Sequence, residues 1–451
     1  MAEPDLALAT TVVELARRAG AGQCDVIIRE SLESKVQVRL GEVEQLIESG
    51  SRSLGLRVIT DGRTAVCSTA DLDPAALARF ARETVDLAAI SAPDECAGLP
   101  AASETPVPLR DGLQLYDESL ANLSVEEKVH LAVTCEAAAR GADARITNSG
   151  GASFSTRIAE VSLANSNGFA GRYPATAVGL GVEVMADDSD GKKRTGGWSS
   201  SERSLHRLLD AEEIGRIAAR RAVMQLGARK VGTKAVPVVF EPVMAVALMA
   251  NLLESATGSA LYRGATFLAG RVGERVGSSL LNIIDDPLLP GRLGSRPFDG
   301  EGVGVHRTAL IEDGIFGGFL FDVYTGRRTG NRTTGSAVRG VESLPAPGPS
   351  NLIFEAGSTD PAAIIAGVED GLYLTTLFGF GFNPATGDFS RGAAGYWIEH
   401  GELAYPVTEI NVSGRLETMF AGIDAVGNDL TWFGSAAAPT IRVREMTVSG
   451  L

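Results

Sequence analysis

The spacing of apolar residues along the chain changes period several times, and each change marks an element. Apolar positions at helical spacing predict an amphipathic helix over Leu6–Arg18. Alternation then takes over, and Cys24–Glu30, Lys35–Leu40, Glu44–Glu48, Leu54–Thr60 and Arg63–Ser68 read as strands. Asp61-Gly62 reads as a hairpin turn, because both residues tolerate positive φ. Asp73-Pro74 opens a helix to about Ala89, with Asp73 as the cap and proline at the first helical position. Residues 91–112 (SAPDECAGLPAASETPVPLRDG) lose all periodicity and read as a linker or extended crossover. Ser124 and Glu127 make a capping box for a helix to about Arg140. Strands follow at Ala144–Asn148, Ser153–Asn165, Ala175–Met185 and Lys193–Ser199, with turns at Asn167-Gly168 and Asp190-Gly191. A long helix is expected over Ser201–Leu226, stopped by Gly227.

Beyond this the pattern is mixed. Val236–Phe240 (VPVVF) reads as a buried strand running through Glu241-Pro242 into an apolar helix, Val243–Ser255. Val303–Ile311 and Ile315–Phe321 suggest a hairpin through Asp313-Gly314. Ser358–Gly367 and Arg415–Val426 read as helices; Leu372–Leu377, Gly395–Ile398, Leu403–Tyr405 and Ile441–Val448 read as strands. Strands do not alternate regularly with crossover helices, so the fold class is α+β. The N-terminal α/β part has antiparallel sheets, and the C-terminal domain is mixed and strand-rich. The expected division is a helix–sheet–helix domain (1–90), a linker (91–112), a central α/β region (113–229) and a C-terminal domain (230–451).

Composition narrows the function classes. The 451 residues are 44% hydrophobic and 22% charged, as in a soluble globular protein, and 53 glycines favour short strands joined by tight turns. A formal charge of −15 repels phosphate backbones and anionic lipid, so neither nucleic acid nor membrane is an expected partner. No apolar run reaches the roughly 20 residues that span a bilayer, and the N-terminus has the wrong charge order for a signal peptide. Cys24, Cys67, Cys96 and Cys135 lie far apart without CxxC spacing and read as free thiols. A cytoplasmic location is expected.

Candidate chemistry is sparse. The four histidines, His130, His206, His306 and His400, each stand alone, whereas a zinc site needs three or four converging ligands. No GxSxG marks a nucleophile elbow. Ser390, beside Asp388 and Arg391 in GDFSRGAAG, is the best serine by context, and a polar glycine-bounded turn is the simpler account. Asp285-Asp286 and Asp299 with Glu301 could do acid–base work, but paired acids carry little weight in an acidic chain.

Four stretches carry a resemblance: Tyr262–Gly273 (YRGATFLAGRVG), Pro297–Gly302 (PFDGEG), Thr386–Trp397 (TGDFSRGAAGYW) and Val426–Asp429 (VGND). Together with the β-strand and helix of 236–255 they resemble the TldD/TldE (PmbA) metallopeptidase family. The resemblance implies that the helix should hold HExxxH in TldD, two zinc-binding histidines and a glutamate base. Here those positions are Met249, Ala250 and Glu254, and the TldD cysteine ligand near the C-terminus is also missing, Cys135 being the last cysteine. The chain is therefore similar to the TldE/PmbA subunit. That similarity implies a non-catalytic subunit of a cytoplasmic peptidase complex for unfolded or small peptides. It implies no catalytic residue, cofactor or metal in this chain, zinc in a TldD-type partner, and a heterodimer, with a homodimer possible in isolation. Tyr262, Arg263, Asp299, Glu301, Asp388, Ser390 and Arg391 are candidates for pocket or peptide contacts. The alternatives are a metal-free homodimeric hydrolase using Ser390 or the Asp299/Glu301 pair, and a binding or scaffold module without a peptidase partner.

Overall fold

A computed structural model describes residues 4–104 and 112–450; residues 105–111 of the expected linker lie outside them. Helix α1 (Pro4–Arg18) leads into β1 (Gln23–Arg39), β2 (Glu42–Thr60), β3 (Arg63–Thr69) and α2 (Pro74–Ile90). Helix α3 (Val125–Gly141) precedes β4 (Ile146–Asn165), β5 (Ala170–Asp187), β6 (Lys193–Glu202) and α4 (Ala211–Val223). The local signals behave as their chemistry requires. Asp73 accepts hydrogen bonds from the N–H groups of Ala75 and Ala76, and Ser124 and Glu127 form a reciprocal capping box. Asp61 and Gly62 turn β2 into β3 at φ values of 51° and 73°.

Two expectations for this part of the chain are corrected. Segments expected as separate short strands are continuous: the polar stretches Ser31–Ser34 and Ser49–Ser53 are poor strand formers, yet each is held across from the other in the β1–β2 ladder. The helix expected over Ser201–Leu226 begins only at Ala211. Ser201 and Glu202 instead extend β6 against Gly179 and Val178, and Asp210 caps α4 by accepting from Glu212 and Glu213.

The six strands form one antiparallel sheet in the order β3-β2-β1-β4-β5-β6. The β1–β4 ladder joins the N-terminal and central segments edge to edge. Alternate residues of β1 point to opposite faces. Val26 and Ile28 pack with Val12 of α1 and Leu77 of α2, while Val36 and Val38 pack with Ala132 of α3 and Ile214 of α4. On the other face Asp25, Ile27 and Arg29 meet the C-terminal part. The run Cys24–Ile28 is thus buried from both sides. Each such aliphatic side chain contributes about 1.5–3 kcal/mol by leaving water.

In the C-terminal part, β7 (Lys234–Phe240) leads into α5 (Pro242–Ser255). Asp370–Phe378, β7, Ile441–Ser449, Glu402–Arg415 and Asp388–Glu399 pair in that order, and the first also pairs with the last, closing a five-stranded barrel. Phe240, Leu248, Met249, Leu252, Trp397 and Phe420 lie in a hydrophobic core that the barrel shares with a second sheet, which includes Ile283–Asp285, Thr308–Glu312 and Leu352–Phe354. The helix expected over Arg415–Val426 is only Leu416–Ala421; Ile423–Val426 is a strand, because its apolar residues pair with Ile441–Val443. The expected hairpin around Asp313-Gly314 is shorter, Thr308–Glu312 with Ile315–Phe316.

Candidate functional site

Pro242 at the first turn fixes the start of α5, and Glu241 just before it anchors the helix to the rest of the molecule. Both Glu241 oxygens accept from Arg221 of α4, at 2.6 and 3.0 Å, and Arg221 also donates to Thr375 O at 2.9 Å. Burial pushes the Glu241 carboxyl up, against the pull of Arg221. Along α5, Leu248, Met249 and Leu252 enter the shared C-terminal core, while Ala250 and Glu254 face solvent. Positions 249 and 254 are five residues apart, so their side chains leave the helix about 140° from one another. A catalytic zinc takes three protein ligands. These positions supply a thioether in the core, a methyl group and one solvent-facing carboxylate, and they do not fit the ion. Among the described residues no group of three or more His, Cys, Asp or Glu side chains could hold a metal.

The Pro297–Gly302 segment is tied by its two carboxylates to the sheet and to neighbouring loops. Asp25 and Arg57 stand opposite one another on β1 and β2. Arg57 Nε donates to Asp25 Oδ2 at 3.0 Å, and Arg57 Nη1 donates to Glu301 Oε1 at 3.1 Å. Arg339 Nη1 donates to the other Asp25 oxygen at 2.7 Å. All four side chains are buried. Desolvation opposes charge at Asp25, but Arg339 and Arg57 outweigh it and hold the carboxyl below its ordinary value. Desolvation likewise opposes charge on Arg57, and Asp25 and Glu301 raise it again. Glu301 differs: burial, with Asp299 and Asp322 nearby, pushes it up to about 7 despite Arg57. Its second oxygen accepts from Val323 N–H at 2.8 Å. Asp299 Oδ1 accepts from Glu301 and Val303 N–H, and Oδ2 from Ala337 N–H. The Asp299/Glu301 pair therefore ties loops and sheet together; its oxygens do not converge on an open cavity as a free acid–base pair.

The other candidates separate into two places. Phe267 N–H donates to Pro384 O at 2.9 Å, and Ser255 at the end of α5 reaches the same oxygen at 3.4 Å, so the Tyr262–Gly273 segment and the end of α5 meet the turn just before Thr386–Trp397. Asp388 is exposed and accepts from Thr386 Oγ1 at 2.6 Å. Ser390 Oγ donates to Asn411 Oδ1 at 3.1 Å, and among the described residues no imidazole contacts it and nothing activates it as a nucleophile. Arg391 is half-buried beside it, its Nε unpartnered. Tyr262 and Arg263 lie elsewhere and are exposed; the Tyr262 ring meets Tyr324 edge-on at 6.3 Å, with Arg328 over it at 5.1 Å. Sequence reasoning missed Asp25, Arg57 and Arg339. The available signal was a charge, Asp25, inside the apolar run Cys24–Ile28, which is tolerated only with a buried partner.

Known proteins resemble the chain throughout its length. Models of PmbA/TldA metallopeptidase domain 1, central domain and C-terminal domain match residues 24–88, 118–226 and 233–450. Metalloprotease PmbA of Escherichia coli O157:H7 is 34% identical over 441 residues, 98% of this chain and 95% of that protein. The Metalloprotease PmbA homolog of Haemophilus influenzae is 31% identical over 439 residues, 97% and 94% of the two chains. A crystal structure from Bacteroides thetaiotaomicron, 28% identical, has a TM-score of 0.93 over the whole of both chains. TldE from Thermococcus kodakarensis, at 22% identity and a TM-score of 0.88, shares the fold over 98% of this chain and 100% of its own.

Proposed function

The chain belongs to the TldD/TldE (PmbA) metallopeptidase family, and on that footing we propose that it is the non-catalytic, TldE/PmbA-type subunit of a cytoplasmic TldD/TldE peptidase complex acting on unfolded or small peptides. One observation carries the reading: Met249 lies in the core while Ala250 and Glu254 face solvent, so the helix that should present a metal and a base presents neither. Zinc and the water it activates belong, on this reading, to a TldD-type partner.

A second feature supports a subunit role. β3 covers only the Leu54–Thr60 end of β2, and β1 pairs along its opposite side. The outer half of β2 is thus an open edge bearing the half-exposed Leu46 and Ile47. Such an edge is normally covered or blunted, and a partner subunit would cover it. The test is co-expression with a TldD-type protein and purification through a tag on this chain alone. The expected result is a stoichiometric heterodimer whose yield falls in Ile47→Lys, with the melting temperature of the isolated chain unchanged. Recovery of this chain alone under all conditions counts against the reading.

A further inference from the structure

The face of the sheet that bears Ile27 and Arg29 does not pack flush against the C-terminal part. A cavity of about 500 Å³ remains between them, within the range of small-molecule sites. One wall is the sheet, with Arg29, Leu163 and Tyr173; the other carries Arg296, Phe298 and Arg339. Leu344, 54% exposed, stands at the rim, so the cavity opens to solvent.

Three guanidinium groups therefore line one space in a chain whose formal charge is −15. Among the described residues, neither Arg29 nor Arg296 makes an ion pair. Arg29 makes one side-chain hydrogen bond, to Arg339 O. Burial lowers its affinity for the proton, and the neighbouring Arg157 and Arg339 lower it further, with only Tyr173 opposing. The Arg339 side chain is fully buried and spends one nitrogen on Asp25, leaving Nε and Nη2 unpartnered. Arg29 Nε and Arg296 Nε and Nη2 are unpartnered as well. The one carboxylate in the lining, Asp299, already accepts three backbone N–H groups, and it and Asp285 feel the charge of Arg296 without forming an ion pair with it. Buried guanidinium nitrogens without partners are costly, and planar forks with free N–H groups match a carboxylate. Beside them Leu163 and Phe298 make an apolar wall.

From this juxtaposition we infer that the cavity binds the carboxylate of a peptide, with the adjoining apolar side chain against Leu163 and Phe298. The inference rests on the peptide-processing reading for the nature of the anion, and it makes the pocket an anchor for the C-terminal end of the bound chain. An acidic side chain offers the same group, and the two sources are separable.

The test uses the full chain and fluorescence anisotropy of a labelled pentapeptide ending in leucine, as the free acid and as the amide. A third peptide has an amidated end and an aspartate side chain. The free acid should bind about tenfold or more tightly than the amide. Arg296→Gln should lose that preference and Arg296→Lys should keep part of it. Among the described residues the Arg296 side chain makes no ion pair and its Nε and Nη2 make no hydrogen bond, so both variants should melt with the wild type. Arg79→Gln, on the exposed side of α2, should bind as the wild type does. Tight binding of the third peptide assigns the site to side-chain carboxylates. Equal affinity for acid and amide, no binding of any peptide, or an unaltered preference in Arg296→Gln overturns the inference. None of these outcomes bears on partner-dependent cleavage, which tests the subunit reading separately.

Discussion

A carboxylate inside the apolar run Cys24–Ile28 is tolerable only because Arg57 and Arg339 neutralise it from two directions. Removing one partner leaves buried charge uncompensated. Arg57→Gln is expected to destabilise the chain by about 3 kcal/mol, the lower end for a broken buried pair, since Asp25 keeps Arg339. Urea unfolding reads this directly, and a loss below 1 kcal/mol would show the pair to be dispensable. Glu301 supplies a pH signature. Its folded carboxyl is raised from 4.5 to about 7, so the folded chain holds a proton that the unfolded chain releases. Its contribution to stability is complete below pH 4.5 and declines as pH rises toward 7. Glu301→Gln cannot ionise, and Asp299 and Asp322 titrate in both proteins. The stability of the wild type relative to the variant should therefore shrink across that window. A difference that widens with pH would mean that Arg57 dominates and that Glu301 is depressed.

At the scale of elements, the close approach of β2 to the C-terminal part depends on a missing side chain. A Cβ at Gly55 would stand 2.1 Å from Val341 O, whereas one at Gly50 on the same strand would meet only Leu32 Cδ2 at 3.2 Å. Gly55→Ala should cost about 1–3 kcal/mol through displaced backbone, and Gly50→Ala distinctly less. Equal melting temperatures for the two would show that the contact yields freely. The α5 helix permits another test. Met249→His with Ala250→Glu and Glu254→His rebuilds the HExxxH letters but leaves position 249 in the core. The purified variant should hold no stoichiometric zinc by elemental analysis; one tightly bound zinc per chain would show that α5 can turn toward a site. Much of this level was legible beforehand. Caps and turns such as Asp73, Ser124/Glu127 and Asp61-Gly62 are local chemistry, and they stand where expected. The long strands were not legible, because Ser31–Ser34 and Ser49–Ser53 are strand only by virtue of each other. Nor was Ser201–Glu202, whose pairing with β5 overrides helical spacing. The arginines of the cavity come from separate elements, and no spacing in the chain announces their convergence.

Taken whole, the molecule is a helix-covered antiparallel sheet joined through a buried charge cluster to a closed barrel whose helix carries no metal-binding set. On the subunit reading, this scaffold serves a peptidase without performing the hydrolysis. The most direct measurement is cleavage of an unfolded polypeptide by the chain alone, by a TldD-type partner alone, and by the two together, each with and without a chelator. No turnover is expected by this chain alone with or without added zinc, and the pair should show turnover that the chelator abolishes. Chelator-resistant cleavage by this chain alone, lost in Ser390→Ala, would contradict the subunit reading.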